Sequence, residues 1–514
     1  MVSTATSYAA LRRRLNGIYT NIKIPIDSFL GYSRTQVASR LIQCYAEHIV
    51  FKFTRVLAEK YRLNRALPSD CDVIELDEFI VVSNVEIKIK LKKYIKLYFE
   101  YLGYWFYVLL IIIISLRFSS NRKKISLLYG VGINDIQDNR EDDRFLNFCR
   151  LTNVIPIKNA KFLAVQSSIS IKSGDSLYVK YGRVPLLVAL KWTGLDISIW
   201  INALSKHILL FFDFISGVLC YPTLIMLGRD AALQSVAWSM NECASIESVM
   251  FTNSNYFSQP LWYTALPNKS YRSHMIWYSQ NQYPISYRDE PLAETIPNLS
   301  YVEADTHWVW TDDFAEFLSV NCKKATYKVV GPIVWHMPSE SENALNNSFT
   351  ITLFDVTPVN NKLENDLGLI RNYYNEKTAK KFINDIIDIV KEIESRTGSK
   401  ISLVLKHKRE HASIHSTGYI ELISKLVEKR KISLVNPTNN IHDIVIRSNI
   451  VIAAPYSSPL YIAKHHNIKA FWYDSTNSLD QDGCPMPGCM VQDKRVLQDK
   501  LNEEFSKYYK ENNK

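Results

Sequence analysis

Two different periods of apolar residues divide this chain. Between residues 33 and 63, Val37, Leu41, Tyr45, Ile49, Phe53, Val56 and Leu57 recur mainly three or four apart, the stripe of an amphipathic helix with Ser33 at its N-cap position. Residues 72–90 read as strand. From residue 101 to residue 116 there follow 16 positions without a charge, bounded by Glu100 and Arg117. A bilayer crossing takes about 20 apolar residues, so the run is short for a span. Three readings compete: a core element, an interfacial segment and a spanning helix. Lys88, Lys90, Lys92, Lys93 and Lys96 precede the run and Arg117, Arg122, Lys123 and Lys124 follow it. Cations at both ends favour a segment lying in the inner leaflet. A second apolar stretch, 207–227, is interrupted by Asp213, Gly217 and Pro222 and reads as buried helix and turn.

From residue 124 the period changes. Short apolar runs, beginning with KISLLYG, now alternate with longer amphipathic ones. VMFTNSN, HMIWYSQN and HWVWTDD are each an apolar run ending in small polar residues, which is how the strand ends of a doubly wound sheet present ligand groups. After the polar stretch SESENALNNS a second alternation starts at ITLFDVTP and continues to the last helical run, DKRVLQDKLNEEFSKYYK. The pattern predicts an α/β protein with two doubly wound parallel-sheet domains, 124–338 and 339–514, behind a basic helical extension, 1–123.

Charge sharpens that division. The chain has 61 Lys+Arg and 51 Asp+Glu, a net +10; residues 1–124 hold 20 and 10 of them, leaving 41 and 41 for the rest. A neutral body with a basic front end suits contact with an anionic membrane leaflet better than a nucleic-acid groove. Hydrophobic residues at 47% against 22% charged exclude a disordered chain. No secretory signal is read at the start, and eight scattered Cys suit reduced thiols, so a cytoplasmic protein peripheral to the inner face of the cell membrane is expected. Cys484 and Cys489 lack a second ligand pair at metal spacing, and no metal or cofactor is expected.

Candidate chemistry clusters at predicted strand ends of the C-terminal half. Lys406, His407, Lys408 and Arg409 follow the buried run ISLVL and offer cations for a phosphate or diphosphate. In APYSSPLYIA, Tyr456, Ser457 and Ser458 precede Pro459 at a helix start, with Ser458 as the expected N-cap. Asn440 and His442 lie in a polar strand-to-helix loop that could meet a base or ribose. Each has an ordinary alternative: a solvated charge run, a capped helix and a surface turn.

Taken together, VWTDDFAEFL with VVGPIVW, ITLFDVTP and SNIVIAAPYSSPLYIAKHHNIKAFWYD make residues 125–495 resemble the GT-B fold bacterial surface-polysaccharide (capsule or O-antigen) biosynthesis glycosyltransferases. The resemblance implies two Rossmann-like domains, with the nucleotide-sugar donor on the C-terminal one and a glycan or lipid-linked acceptor on the N-terminal one. LVLKHKRE and PYSSP are similar to the pair that holds the CMP phosphate in transferases of CMP-linked acidic sugars, and UDP, GDP and dTDP donors stay open. Transfer needs stabilisation of the departing phosphate and a base for the acceptor hydroxyl. Lys406, His407, Arg409 and Ser457 or Ser458 suit the first role. Asp135, in the loop after the first body strand beside Asn134, Asp138, Arg140 and Glu141, is the candidate base. Asn253, Ser254, Asn255, Tyr278, Ser279, Gln280, Asn281 and Asp312 would line the acceptor side. A sugar-nucleotide epimerase of the same architecture and a non-catalytic polysaccharide-assembly protein are the alternatives.

Overall fold

A computed structural model of the chain describes residues 28–45, 74–75, 79–83, 86–117, 124–130, 148–149, 152, 154, 162–166, 178–182, 184–253, 259–265, 269–280, 282–289, 299, 302–322, 324–332, 348–360, 373–408, 414–437 and 439–512. They fall into two compact units, divided after Tyr278 and after Trp335, with residues 279–294 belonging to the second.

In the first unit a hairpin of β1 (Ser28–Phe29) and β2 (Tyr32–Ser33) leads into helix α1 (Arg34–Tyr45), and β3 (Ile74–Glu75), β4 (Phe79–Ser83) and β5 (Glu86–Ile89) form an antiparallel sheet. Then come α2 (Leu91–Ile113), β6 (Ile125–Tyr129), β7 (Phe162–Gln166), β8 (Tyr178–Gly182), α3 (Pro185–Thr193), α4 (Ile197–Cys220) and α5 (Gly228–Glu242). The unit continues with β9 (Ile246–Thr252), α6 (Leu261–Ala265), β10 (Arg272–Ile276), β11 (Thr306–Val309), α7 (Asp312–Asn321) and β12 (Thr326–Val329). Seven strands make one parallel sheet in the order β12-β11-β10-β9-β6-β7-β8. Buried Ile125, Leu127, Val249 and Met250 read as continuous apolar runs because both faces of a parallel sheet are covered. Helix α5 is buried along most of its length. Its Gly228 admits Tyr101 of α2 so closely that a Cβ there would lie 2.4 Å from the ring. Asp230 accepts from Arg40 Nε at 2.6 Å and from the Leu261 amide at 2.9 Å, tying α1 and α6 to α5.

The second unit alternates β13 (Thr350–Phe354), α8 (Glu376–Thr397), β14 (Ser402–Lys406), α9 (Thr417–Glu428), β15 (Ser433–Val435), α10 (Ile441–Ile446), β16 (Ile450–Ala453), α11 (Pro459–His465), β17 (Lys469–Tyr473), β18 (Met490–Val491) and α12 (Lys494–Asn512). All pairings are parallel, in the order β15-β14-β13-β16-β17-β18. Helix α8 is specified end to end. Asn375 caps it by accepting from the Thr378 amide at 2.9 Å, and Gly398 closes it at φ 70°. Phe382, Ile383, Ile386, Ile387, Val390 and Ile393 bury one face against Ile351, Leu353, Leu403 and Ile452 of the sheet.

The α/β class with two doubly wound units is as expected, while two local expectations are refined. Helix α2, assigned from sequence to a separate extension, packs within the first unit, burying Leu97, Tyr101, Trp105, Val108, Ile111 and Ile112. The stretch 207–227, read as buried helix and turn, is helix from Ile197 to Cys220 followed by the turn Pro222–Leu227, but the helix buries only one side. Helices α2 and α4 run antiparallel: Trp200 Nε1 donates to the Ile112 carbonyl at 2.8 Å, and Trp105 packs on His207, Phe211 and Phe214. Both leave an apolar stripe in solvent, with Phe99 66%, Phe106 62%, Phe212 64% and Leu219 72% exposed.

Candidate active site at the switch point of the second unit

Counting strands along the second unit, the sheet order is 3-2-1-4-5-6. Crossovers leave in opposite directions from β13 and β16, so the carboxyl ends of these two strands flank the crevice where doubly wound sheets take ligands. Phe354 pairs with Lys406 on one side and Ala453 on the other, and the Ala454 amide donates to the Phe354 carbonyl at 2.9 Å. Three strand tips from distant parts of the sequence therefore meet.

On the β13 tip stands Asp355, which is buried. Its Oδ2 accepts from His407 Nδ1 at 2.8 Å and from the Tyr419 hydroxyl at 2.8 Å, while Oδ1 accepts from the Lys408 amide at 3.2 Å. A carboxylate only accepts, so His407 carries a proton on Nδ1 and presents Nε2 as its other working nitrogen. Tyr419 lies in the first turn of α9, fixed by Ser416, whose hydroxyl accepts from the Tyr419 amide at 3.1 Å. Burial and the Asp355 charge hold the Tyr419 phenol well above its ordinary range, so it remains a donor.

On the β16 side, Tyr456 has φ +59°, a strained value for a non-glycine residue, and such strain concentrates at ligand sites. Its ring stacks on Trp472 at 5.7 Å and its hydroxyl accepts from the Ser286 amide at 3.2 Å. Trp472 Nε1 donates to the Ser457 carbonyl at 3.1 Å, and Tyr374 donates to the Pro455 carbonyl at 2.7 Å. The turn 454–458 is thus held from four directions. A small cavity of about 20 Å³ lies behind it, lined by Asp355, Tyr373, Tyr374, Ala454 and Pro455 among others.

The sequence-derived candidates divide on this geometry. His407, Lys408, Tyr456, Ser457 and Ser458 come together at the switch point. Lys406 does not face it: the side chain is buried and Nζ donates to the Pro437 carbonyl at 2.8 Å, bracing the next strand tip, with burial drawing its pKa down. Ser458 occupies the N-cap position of α11, but its hydroxyl makes no capping bond, because its backbone is helical rather than extended; Ser457 Oγ instead donates to the Ala454 carbonyl at 2.5 Å. Asn440 caps α10 through the His442 amide at 3.0 Å, and His442 Nδ1 lies 2.8 Å from His466 Nε2. That pair joins the first turn of α10 to the C-cap of α11. Arg409 and Asp135 lie outside the described residues, as do Asn134, Asp138, Arg140, Glu141, Ser254, Asn255 and Asn281.

In the first unit the order 3-2-1-4-5-6-7 places the corresponding switch point between β6 and β9, where Thr252 donates to the Gly130 carbonyl at 2.9 Å. Asn253 beside it is buried and accepts from the Tyr278 amide at 3.2 Å, so these two expected acceptor-side residues do share a site. Asp312 sits exposed in the first turn of α7, which Thr311 caps, and there it complements the helix dipole. Among the described residues no group of three or more His, Cys, Asp or Glu could hold a metal ion; Cys484 and Cys489 are buried, and burial pushes the Cys484 thiol up to about 11.

Sequence reasoning missed Asp355 and Tyr419. Asp355 was visible as the acid that ends the buried strand ITLFD, opposite a basic strand tip in the next βα unit. Tyr419 gave no local signal.

Over residues 208–499, more than half of its 514 residues, the chain matches the family described as polysaccharide biosynthesis PFTS motif protein, and it belongs to that family. It is a polysaccharide-biosynthesis protein built on two doubly wound units. Among solved structures it is similar to the wall teichoic acid polymerase TagF at 9% identity, over 82% of this chain and 92% of that chain, with a TM-score of 0.39. S. aureus TarM is similar at 9% identity over 52% of this chain and 51% of that chain, TM-score 0.31, so the chain spans about half the length of TarM. A trehalose-6-phosphate structure from E. coli with bound UDP-2-fluoro glucose is similar at 9% identity over 74% of this chain and 90% of that chain, TM-score 0.37. No curated protein sequence matches the chain.

Proposed function

We propose that this polysaccharide-biosynthesis protein is a glycosyltransferase that draws a sugar from a nucleotide-activated donor and passes it to a lipid-linked or growing surface glycan at the inner face of the cell membrane. The observation that carries the reading is the Asp355–His407 pair at the β13–β16 switch point, faced by the Tyr456–Ser458 turn. In the reaction the bond from the sugar's anomeric carbon to the donor phosphate breaks, a bond to the acceptor oxygen forms, and the acceptor's proton passes to a base. Negative charge collects on the departing nucleoside phosphate. His407, held in one orientation by Asp355, is suited to place a proton or positive charge there, with the Lys408 ammonium and Ser458 hydroxyl beside it. Asp135 remains the candidate base. The apolar stripes of α2 and α4, with Lys92 and Lys96 exposed at the start of α2, support membrane docking.

Thermal unfolding of the full chain with CMP-, UDP-, GDP- and dTDP-nucleotides tests the donor site. At a concentration 100 times Kd a ligand stabilises the folded state by about 2.7 kcal/mol, so at least one nucleotide raises the midpoint clearly. With the active donor, His407→Ala is expected to lose about 10²–10⁴-fold in turnover. A folded protein that no nucleotide stabilises sinks the reading, and nucleotide binding with unchanged polysaccharide output from His407→Ala points to an assembly protein instead.

A further inference from the structure

A second cavity lies in the first unit. It has a volume of about 390 Å³ and sits where α2, α3 and the start of α5 converge. One wall is aliphatic: Val184, Leu187 and Val188. The opposite wall carries Tyr104 and Tyr107 of α2, and its polar members are two cations, Lys191 and Arg229. No acidic side chain lines it; Glu100, one turn before Tyr104, reaches Arg229 only at 4.0 Å. The Arg229 guanidinium lies 5.5 Å over the Tyr104 ring with its side chain 60% exposed, and the Tyr104 hydroxyl is sealed from solvent without a hydrogen-bond partner.

Such a cavity suits an amphiphile. Two cations want an anionic oxygen group, whereas the aliphatic wall wants a hydrocarbon. Its outer lip is Tyr107, 46% exposed, and one turn further along α2 the exposed stripe continues through Leu110 and Ile113. Head and tail sites are thus continuous on one surface. We propose that this cavity binds the phosphate head of a lipid phosphate, with Lys191 and Arg229 on the phosphate, the Tyr104 ring as part of its wall, and the chain leaving past Tyr107 along α2. The proposal rests on the docked-transferase reading for its biological sense, since a lipid phosphate or diphosphate is the carrier on which a glycan can grow at a membrane. It goes further in naming the carrier's site.

The test uses the full chain in detergent micelles, titrated with farnesyl phosphate, farnesol and inorganic phosphate, with intrinsic tryptophan fluorescence as the readout. Saturable binding of farnesyl phosphate, at least about tenfold tighter than of either control, is expected. Lys191→Ala with Arg229→Ala should weaken it by about tenfold or more while leaving the unfolding midpoint in place. Leu187→Trp, which fills the cavity from its apolar side, should block binding with the charges intact. Equal binding of farnesol, or of inorganic phosphate alone, overturns the lipid-phosphate assignment, as does undiminished binding by both variants. Nucleotide binding is scored separately on the same samples: its absence alongside intact farnesyl phosphate binding removes the transferase reading and keeps this site, and the converse removes this site alone.

Discussion

His274 and His307 are buried on adjacent strands, each accepting from a tryptophan: Trp308 Nε1 donates to His274 Nδ1 at 3.2 Å and Trp277 Nε1 to His307 Nδ1 at 3.1 Å. Both bonds need a lone pair on Nδ1, which protonation removes. Burial draws His274 down to about 4, with Asp305 opposing, and His307 down to about 3. The unfolded chain takes up these protons near pH 6.5, ahead of the folded one, so stability holds above that pH and is lost as pH falls from 6.5 toward 4 and 3. Denaturant titrations at pH 7, 6 and 5 are expected to show falling stability. Replacing both by Gln, which accepts from the same indoles and does not titrate, should flatten that slope; an equal slope in the double variant refutes the assignment. Asp355 is the counterpart at the switch point, a buried charge tolerated because three donors meet it.

At the scale of elements, α8 shows how much local sequence can specify. Its cap, its apolar face and its closing Gly398 are consecutive in the chain, so FINDIIDIVKEI reads as helix without tertiary help. The strands of the second sheet were equally legible, since an uninterrupted apolar run bounded by polar turns suits a strand covered on both faces. Ile386, fully buried between α8 and the sheet, is expected to cost about 2–5 kcal/mol on truncation to Ala, read as a lowered denaturant midpoint with unchanged slope. Helix α4 runs through two weak helix formers. Asp213 and Gly217 weaken a helix by only fractions of a kcal/mol to about 1 kcal/mol each, and packing on α2 and α5 outweighs that. The same packing turns only one side of α4 inward and leaves Ile208, Leu209 and Phe212 in solvent.

For the whole molecule, the excess of basic residues falls in 1–124, and α2 and α4 each carry an exposed apolar stripe. By length and composition alone, both helices could cross a bilayer. Each buries one side in the first unit, and the proposed membrane docking rests on the other side. Changing Phe99, Phe106, Phe212 and Leu219 together to Ser is expected to lower the fraction floating with anionic vesicles by at least about tenfold, since losing even one buried apolar side chain removes roughly 1.5–3 kcal/mol. The unfolding midpoint should hardly move, because solvent-facing substitutions fall within about 0.5 kcal/mol. Undiminished flotation of this variant would mean that the stripes are not the membrane contact.

What the sequence determined by itself was set by neighbours along the chain: the change of period at residue 124, the two α/β alternations and the basic strand tip at Lys406–Lys408. What only the tertiary structure decided was which tips meet. Asp355, His407, Tyr419 and Tyr456 are spread over about a hundred residues, and they converge because β13 pairs with β14 on one edge and with β16 on the other. The same order turned Lys406 inward as a strut and left His442 at a different tip. Strand order and helix facing are settled by which surfaces bury most apolar area together, a property of the assembled chain that no local window contains.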